Sequence, residues 1–287
     1  MPRCRVNGVA AQYMEIGTAG KGRDTVALLH AGGASSAHWR KTVPFLQEAF
    51  HLVAPDLIGF GETQGWDRPR EMTHDDQADL VRGVLGRAAN GPVHLVGHSY
   101  GGAVAVRLAL RHPELVKSLV LIEPVLTPLL RQAGEDMLFE AERRLAYAFI
   151  ADVEAGRSVS AWRRFIDHHS GDGTWESLSG NARYRFLSMT RDTAAAYRSN
   201  FSNPTTMADL RTLAMPTLTM CGSRTTEAYR RICAILYRHV PGCRAVDLDG
   251  AAHMAPLTHP RQVADEIARH AGGGVRSARP LARLDAA

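Results

Sequence analysis

The feature that most narrows the fold is a recurrence of short, almost wholly apolar runs separated by stretches of helical period. The runs are VALLH (26–30), HLVAPD (51–56), PVHLVG (92–97), SLVLIEP (118–124), PTLTMCG (216–222) and CRAVDLDG (243–250). Runs of this length, alternating with helices, predict an α/β fold: a mostly parallel, doubly wound sheet with helices on both faces. Ahead of them, Asn7-Gly8 between two strand-like runs signals a hairpin. Thr73 and Asp76 give a capping-box start to a helix that carries Leu80, Val81, Val84 and Leu85 on one face. A second helix is expected over 103–112, ended by Pro113.

From residue 125 to about 210 the alternation stops. EDMLFEAERRLAYAFIADVEAG, SAWRRFIDHH and NARYRFLSMTRDTAAAYRS all read as helices, with no strand between them. The division expected is therefore a first core part over 1–124, a helical cap over 125–210, a second core part over 211–271 and a flexible tail over 272–287. Inserted between two sheet strands, the helices should lie over the carboxyl edge of the sheet, where open α/β folds bind ligands. Trp162, Phe165, Tyr184 and Phe186 within the insertion are expected to form its own core.

A chain of 287 residues with 45% hydrophobic content can bury one large core. Its 34 basic and 29 acidic residues leave a net charge of +5, but the basic residues are scattered and several, Arg276, Arg279 and Arg283, fall in the tail. This pattern is a poor match to nucleic-acid binding. The cysteines, Cys4, Cys221, Cys233 and Cys243, have neither metal-ligand spacing nor a dense disulfide framework, which fits a reducing cytoplasm. The amino-terminal residues carry no apolar signal core, and no stretch reaches membrane-span length. The expected location is the cytoplasm, the expected partner a small molecule; no metal or cofactor is called for, and the oligomeric state is open.

LVGHSYGG (95–102) is the segment with chemistry in it. Gly97-His98-Ser99-Tyr100-Gly101 follows an expected strand and opens an expected helix, the setting of a nucleophile elbow. A strand turning sharply into a helix crowds the flanking positions, so glycine is needed there, while Ser99 is pushed outward at a helix N-terminus that favours negative charge. A serine nucleophile needs a base. His253 lies in the small-residue loop DGAAHMAPLTHP after the last strand; His259 in the same loop is second choice, and His98 points elsewhere on the elbow. The loop HAGGASS offers the backbone of Gly32 and Gly33, and with the Tyr100 N–H it would form an oxyanion hole.

These segments together resemble the α/β-hydrolase superfamily, in its serine-nucleophile, helical-cap, esterase- and lipase-like form. LLHAGG is similar to the family's oxyanion loop, PDLIGFGET to its acidic-glycine turn, VGHSYGG to its elbow and GAAHMAPLTHP to its histidine loop, in family order over about residues 25–270. The resemblance implies a catalytic triad, and it implies a structural role for Asp56. Trp39 is open between pocket lining and packing. The serine argues against the dehalogenase and epoxide hydrolase branches, which use aspartate at the elbow.

One departure concerns the acid. In much of the family the third residue past the glycine of the strand matching PTLTMCG is the triad aspartate; here it is Thr225. Glu227 falls two residues further on, in the following helix, and Asp249 is expected to hold its own loop's backbone. Glu123, at the end of the strand after the elbow helix, reaches the same edge, a placement some relatives share. It is the preferred acid, with Asp249 and Glu227 as alternatives. The function implied is hydrolysis of a small or medium carboxylic ester through an acyl-enzyme. Alternatives on the same machinery are carbon–carbon bond hydrolysis, lactone or thioester hydrolysis, cofactor-free oxygenase or perhydrolase chemistry, and a non-catalytic ligand receptor.

Overall fold

The computed structural model describes residues 1–20 and 22–273. Its eight strands are β1 (Arg3–Val6), β2 (Val9–Ile16), β3 (Thr25–Leu29), β4 (His51–Pro55), β5 (Val93–His98), β6 (Val116–Ile122), β7 (Thr217–Gly222) and β8 (Arg244–Leu248). They form one sheet in the order β1-β2-β4-β3-β5-β6-β7-β8. The β1–β2 and β2–β4 pairs are antiparallel and every other pair is parallel. At the β1–β2 turn Asn7 and Gly8 have φ of 48° and 87°, the two left-handed residues that a type I′ hairpin requires.

The apolar runs are continuous because both faces of the sheet are covered. In β3, Ala27 and Leu29 enter one core while Val26 and Leu28 enter the core on the opposite face; in β6, Leu119 and Leu121 oppose Val120 and Ile122 in the same way. The first core is closed by α1 (His74–Ala88) and α2 (Tyr100–Arg111), through side chains such as Val81 and Val104. α1 carries the capping box of Thr73 and Asp76. α2 begins earlier than its apolar period suggests, directly after Ser99. Trp39 is fully buried in the second core, so packing and not pocket lining is its role.

Between β6 and β7 lie only helices among the described residues: α3 (Pro128–Gln132), α4 (Asp136–Glu154), α5 (Ser158–Ser170), α6 (Thr174–Ser177), α7 (Gly180–Ser188), α8 (Thr190–Phe201) and α9 (Met207–Leu210). α10 (Glu227–His239) follows β7, and α11 (Ala255–Thr258) and α12 (Pro260–Ala271) follow β8. The single long helix expected over 181–199 is two, α7 and α8. The break has a side-chain cause. Thr190 Oγ1 donates to Leu187 O at 2.7 Å and accepts from Trp162 Nε1 at 2.9 Å, so it competes with the helical backbone for partners.

Phe149, Trp162, Ile166, Trp175 and Ala194 give this segment a core of its own. Phe165 and Phe186 are half-buried against that core and also line a cavity. Tyr184, expected inside, is 73% exposed on α7, a helix that buries no residue. The tail, with Arg276, Arg279 and Arg283, lies outside the described residues from position 274 onward.

Candidate active site

The turn from β5 into α2 closes only because three glycines line it. A Cβ at Gly97 would sit 2.4 Å from Gly101 O, one at Gly101 2.5 Å from both His30 O and Leu29 O, and one at Gly102 2.7 Å from Pro124 Cβ. Ser99 itself takes φ 55° and ψ −119°, a conformation that costs a non-glycine residue roughly 1–3 kcal/mol and is held by its surroundings. Its N–H donates to Ile122 O at 3.0 Å, and Gly101 N–H donates to His30 O at 3.1 Å. Backbone atoms cannot retreat from a new methyl group. Gly101→Ala should therefore destabilise the fold by about 3 kcal/mol or more, read as a lowered urea midpoint, and an unchanged midpoint would contradict the close approach described.

Three chain segments bring Ser99, His253 and Glu123 together. His253 Nε2 lies 2.9 Å from Ser99 Oγ, and His253 Nδ1 lies 2.7 Å from Glu123 Oε2. All three residues are buried. A carboxylate can only accept, so Nδ1 carries the imidazole proton and the Nε2 lone pair faces the Ser99 hydroxyl. Glu123 stands directly after β6 with φ 41°, like Ser99 a non-glycine residue at positive φ. Its carboxylate has two more donors: Gly222 N–H at 2.7 Å on Oε1 and Thr225 Oγ1 at 2.7 Å on Oε2. Thr225, where the family resemblance would place an aspartate, is thus a hydrogen-bond donor to Glu123.

The other carboxylates are elsewhere. Glu227 begins α10. Asp249 is exposed, and the N–H of Gly250 beside it is taken by Ser223 Oγ at 2.9 Å, not by Asp249. His259 pairs with Thr258 Oγ1 at 2.9 Å. Asp56 accepts from Ser36 N at 2.6 Å and Glu62 N at 3.0 Å, tying the loop after β3 to the turn after β4.

Gly32 lies against the start of α2, its direction of substitution 3.5 Å from Tyr100 Cβ. The Tyr100 N–H belongs to the first turn of α2, where no helical carbonyl precedes it. His30 fixes this loop by donating from Nδ1 to Ala31 O at 2.8 Å and accepting Leu57 N–H on Nε2 at 3.0 Å.

Sequence reading missed the histidines around His253. His98 donates from Nε2 to His253 O at 2.8 Å, and its Nδ1 lies 3.0 Å from His38 Nε2, the two rings stacked 4.9 Å apart. Since Nε2 of His98 holds its proton for the carbonyl, Nδ1 is the acceptor and His38 the donor. On its far face, His253 stacks on Tyr229 of α10 at 4.2 Å, and the His169 ring of α5 lies 5.2 Å away. The adjacency of His98 to Ser99 was the one sequence signal; His38, His169 and Tyr229 carry none.

Burial holds these imidazoles neutral. It presses His38 down to about 3, helped by His30 and His253, and His98 far below the ordinary value, helped by His38 and His253. His74, buried on α1, is pressed down to about 4. The unfolded chain takes up protons at these rings below about pH 6.5 and the folded chain refuses them, so stability is full above that pH and falls below it. His38 and His74 should each remove roughly 1.4 kcal/mol per pH unit as pH drops from about 6.5 towards 4. The urea midpoint should fall steeply through that window; a flat profile would mean the rings accept protons while folded.

A cavity of about 350 Å³ opens over Ser99 and is roofed by the β6–β7 helices, with Phe165, Phe186, Met189 and Tyr197 among its apolar lining. Gly32, Tyr100 and His253 line its floor. Among the described residues no group of three or more His, Cys, Asp or Glu side chains is placed to hold a metal ion, and no helix is long and apolar enough to cross a membrane.

A family model described as the alpha/beta hydrolase fold matches residues 24–260. Among curated proteins, a pimeloyl-[acyl-carrier protein] methyl ester esterase of Edwardsiella ictaluri is 28% identical over 264 residues, 89% of this chain and 96% of that protein. A 2-hydroxy-6-oxo-6-(2'-aminophenyl)hexa-2,4-dienoic acid hydrolase of Metapseudomonas resinovorans is 38% identical over 120 residues, 40% of this chain and 39% of that one. Among solved structures, MGS-M2, an alpha/beta hydrolase enzyme from a deep-sea metagenome library, superposes with a TM-score of 0.81 at 15% identity, covering 97% of this chain and 100% of that chain. At that identity the likeness speaks for the fold alone.

Proposed function

The chain belongs to the α/β-hydrolase fold family, and on that premise we propose that it hydrolyses a small or medium carboxylic ester through an acyl-enzyme on Ser99. The reading rests on one observation: the Ser99–His253–Glu123 relay at 2.9 and 2.7 Å, in the tautomer a general base requires. Ser99 Oγ attacks the ester carbonyl carbon while its proton passes to His253 Nε2. The N–H groups of Gly32 and Tyr100 receive the oxyanion, and Glu123 balances the imidazolium charge. Collapse breaks the carbon–oxygen bond, and His253 gives its proton to the departing alcohol. Water then repeats the sequence on the acyl-enzyme, releasing the acid and restoring Ser99.

The segment 125–210 acts as a cap over the core parts 1–124 and 211–271, and the chain needs no metal for this chemistry. A cavity of about 350 Å³ lies near the lower end of the ~300–1,000 Å³ range of ligand sites, which favours short and medium esters. A near-full-length relative named as a methyl ester esterase supports the ester over other acyl bonds. Steady-state turnover of p-nitrophenyl esters of graded acyl length tests the proposal. Turnover should peak at short or medium chains; tight binding of such compounds with no turnover at any length would favour a receptor instead.

A further inference from the structure

The helices above Ser99 place polar atoms in the cavity that the relay does not use. Tyr197 Oη and His169 Nδ1 are buried without a hydrogen-bond partner among the described residues, and both residues line the cavity. Glu142 of α4, half-buried, lines it as well. Its carboxyl is an electrostatic neighbour of Tyr197, Tyr229 and His253. Buried polar groups are nearly always paired, so unpaired ones facing a cavity point to a partner that arrives with the ligand.

Their position indicates which part of the ligand. His253 delivers its proton to the departing oxygen, so the alcohol portion of an ester lies on the His253 side of Ser99. Tyr229 and His169 bound that side, with rings 4.2 and 5.2 Å from the His253 ring. Phe165 lies 4.7 Å from His169 and 5.9 Å from Tyr197, which joins the group into one wall. We propose that Glu142, Tyr197 and His169 form a polar subsite for the leaving alcohol, and that the preferred esters carry a second, uncharged hydroxyl on that alcohol. The inference rests on the ester hydrolysis proposed above.

The chemistry of the three groups selects a hydroxyl. Burial pushes the Glu142 carboxyl above the ordinary carboxylate range, and it holds the His169 imidazole far below its own, in the neutral form. A carboxyl, a phenol and a neutral imidazole offer donors and acceptors together, the match for a group that both donates and accepts. A purely apolar alcohol would leave Tyr197 Oη and His169 Nδ1 unpaired, the situation in which a site rejects an analogue lacking the hydroxyl.

The test compares ω-hydroxyalkyl acetates of graded length with the matching alkyl acetates. At one chain length the hydroxy ester should be favoured by roughly tenfold or more in kcat/KM. Tyr197→Phe should bring that ratio close to one. Glu142→Leu should lower it strongly while Glu142→Gln, still a hydrogen-bonding group, keeps most of it. Each ratio is read within one variant, so a general loss of activity cancels. Equal kcat/KM at every length, or a preference that survives Tyr197→Phe, overturns the subsite. So does a preference for acetylcholine over 3,3-dimethylbutyl acetate that disappears in Glu142→Gln, since that would make Glu142 a counter-charge for a cation. If wild-type protein hydrolyses no ester, calorimetric binding of diols against alkanols to Ser99→Ala separates the two ideas. Tighter diol binding there keeps the subsite while ester hydrolysis fails, and equal binding removes both.

Discussion

Ser99→Ala is expected to abolish turnover, with a loss on the order of 10⁶-fold in kcat, the scale seen when a serine hydrolase loses its nucleophile. A fluorophosphonate should label wild-type protein on Ser99 and leave the variant unlabelled. The substitution removes one oxygen and keeps the backbone contacts of the elbow, Ser99 N–H to Ile122 O and Gly101 N–H to His30 O, so the folded state should persist. His253→Ala should lose activity on a similar scale, because Nε2 is the hydrogen-bond partner of Ser99 Oγ. His259→Ala should not, since its ring pairs with Thr258. Mass spectrometry of the labelled peptide and kcat for the three variants decide the matter. Labelling on any other serine, or turnover surviving in Ser99→Ala, would remove Ser99 from the mechanism.

Glu123→Gln carries the second-largest expected effect, a fall in kcat of roughly 10⁴-fold, as for the corresponding change in serine proteases. Three donors converge on this carboxylate: Gly222 N–H, Thr225 Oγ1–H and His253 Nδ1–H. A glutamine has one acceptor oxygen and an NH₂ group that only donates. Whichever way it turns, a donor meets a donor, and the cheapest escape is for His253 to move its proton to Nε2, which removes the base. Size and shape barely change, so the thermal midpoint should shift much less than the rate.

Thr225→Asp in the Glu123→Gln background should restore part of kcat. Thr225 Oγ1 and His253 Nδ1 both lie 2.7 Å from the same oxygen, Glu123 Oε2, so a carboxylate at 225 starts one hydrogen bond from the imidazole. Full recovery is not expected, because the donors that hold the acid are arranged around position 123. In the presence of Glu123, Thr225→Asp should instead lower activity, since two carboxylates in contact force one of them to take a proton. Activity near wild type in Glu123→Gln would exclude Glu123 as the acid.

Much of this molecule was legible in its residues. The strands announce themselves because both faces of the sheet are buried, so VALLH and SLVLIEP read as unbroken apolar runs. Asn7-Gly8 names its turn because few residues tolerate two left-handed positions in succession. The elbow is legible for a similar reason: three glycines are required where α2 closes against β3 and Pro124. Signals of this kind act within a few residues of chain, and periodicity and turn chemistry capture them.

The helical segment was read less well. Its apolar period is real, but the break between α7 and α8 is made by Thr190, whose partner Trp162 is 28 residues away. Tyr184 has the spacing of a core residue and stands exposed because nothing packs on that side of α7.

Local sequence thus determined the sheet, the elbow and the loop from which His253 projects. Which carboxylate stands beside His253 was decided by a contact spanning 130 residues, and the His98 and His38 contacts that brace the histidine loop span 155 and 60. Glu123, Asp249 and Glu227 all follow strands that end at the same sheet edge, so local pattern cannot rank them. The ranking comes from side-chain direction after the strands pair: Glu123, in its left-handed turn beside β7, alone of the three reaches Gly222, Thr225 and His253, because strand order and the twist of the backbone at φ 41° aim it there.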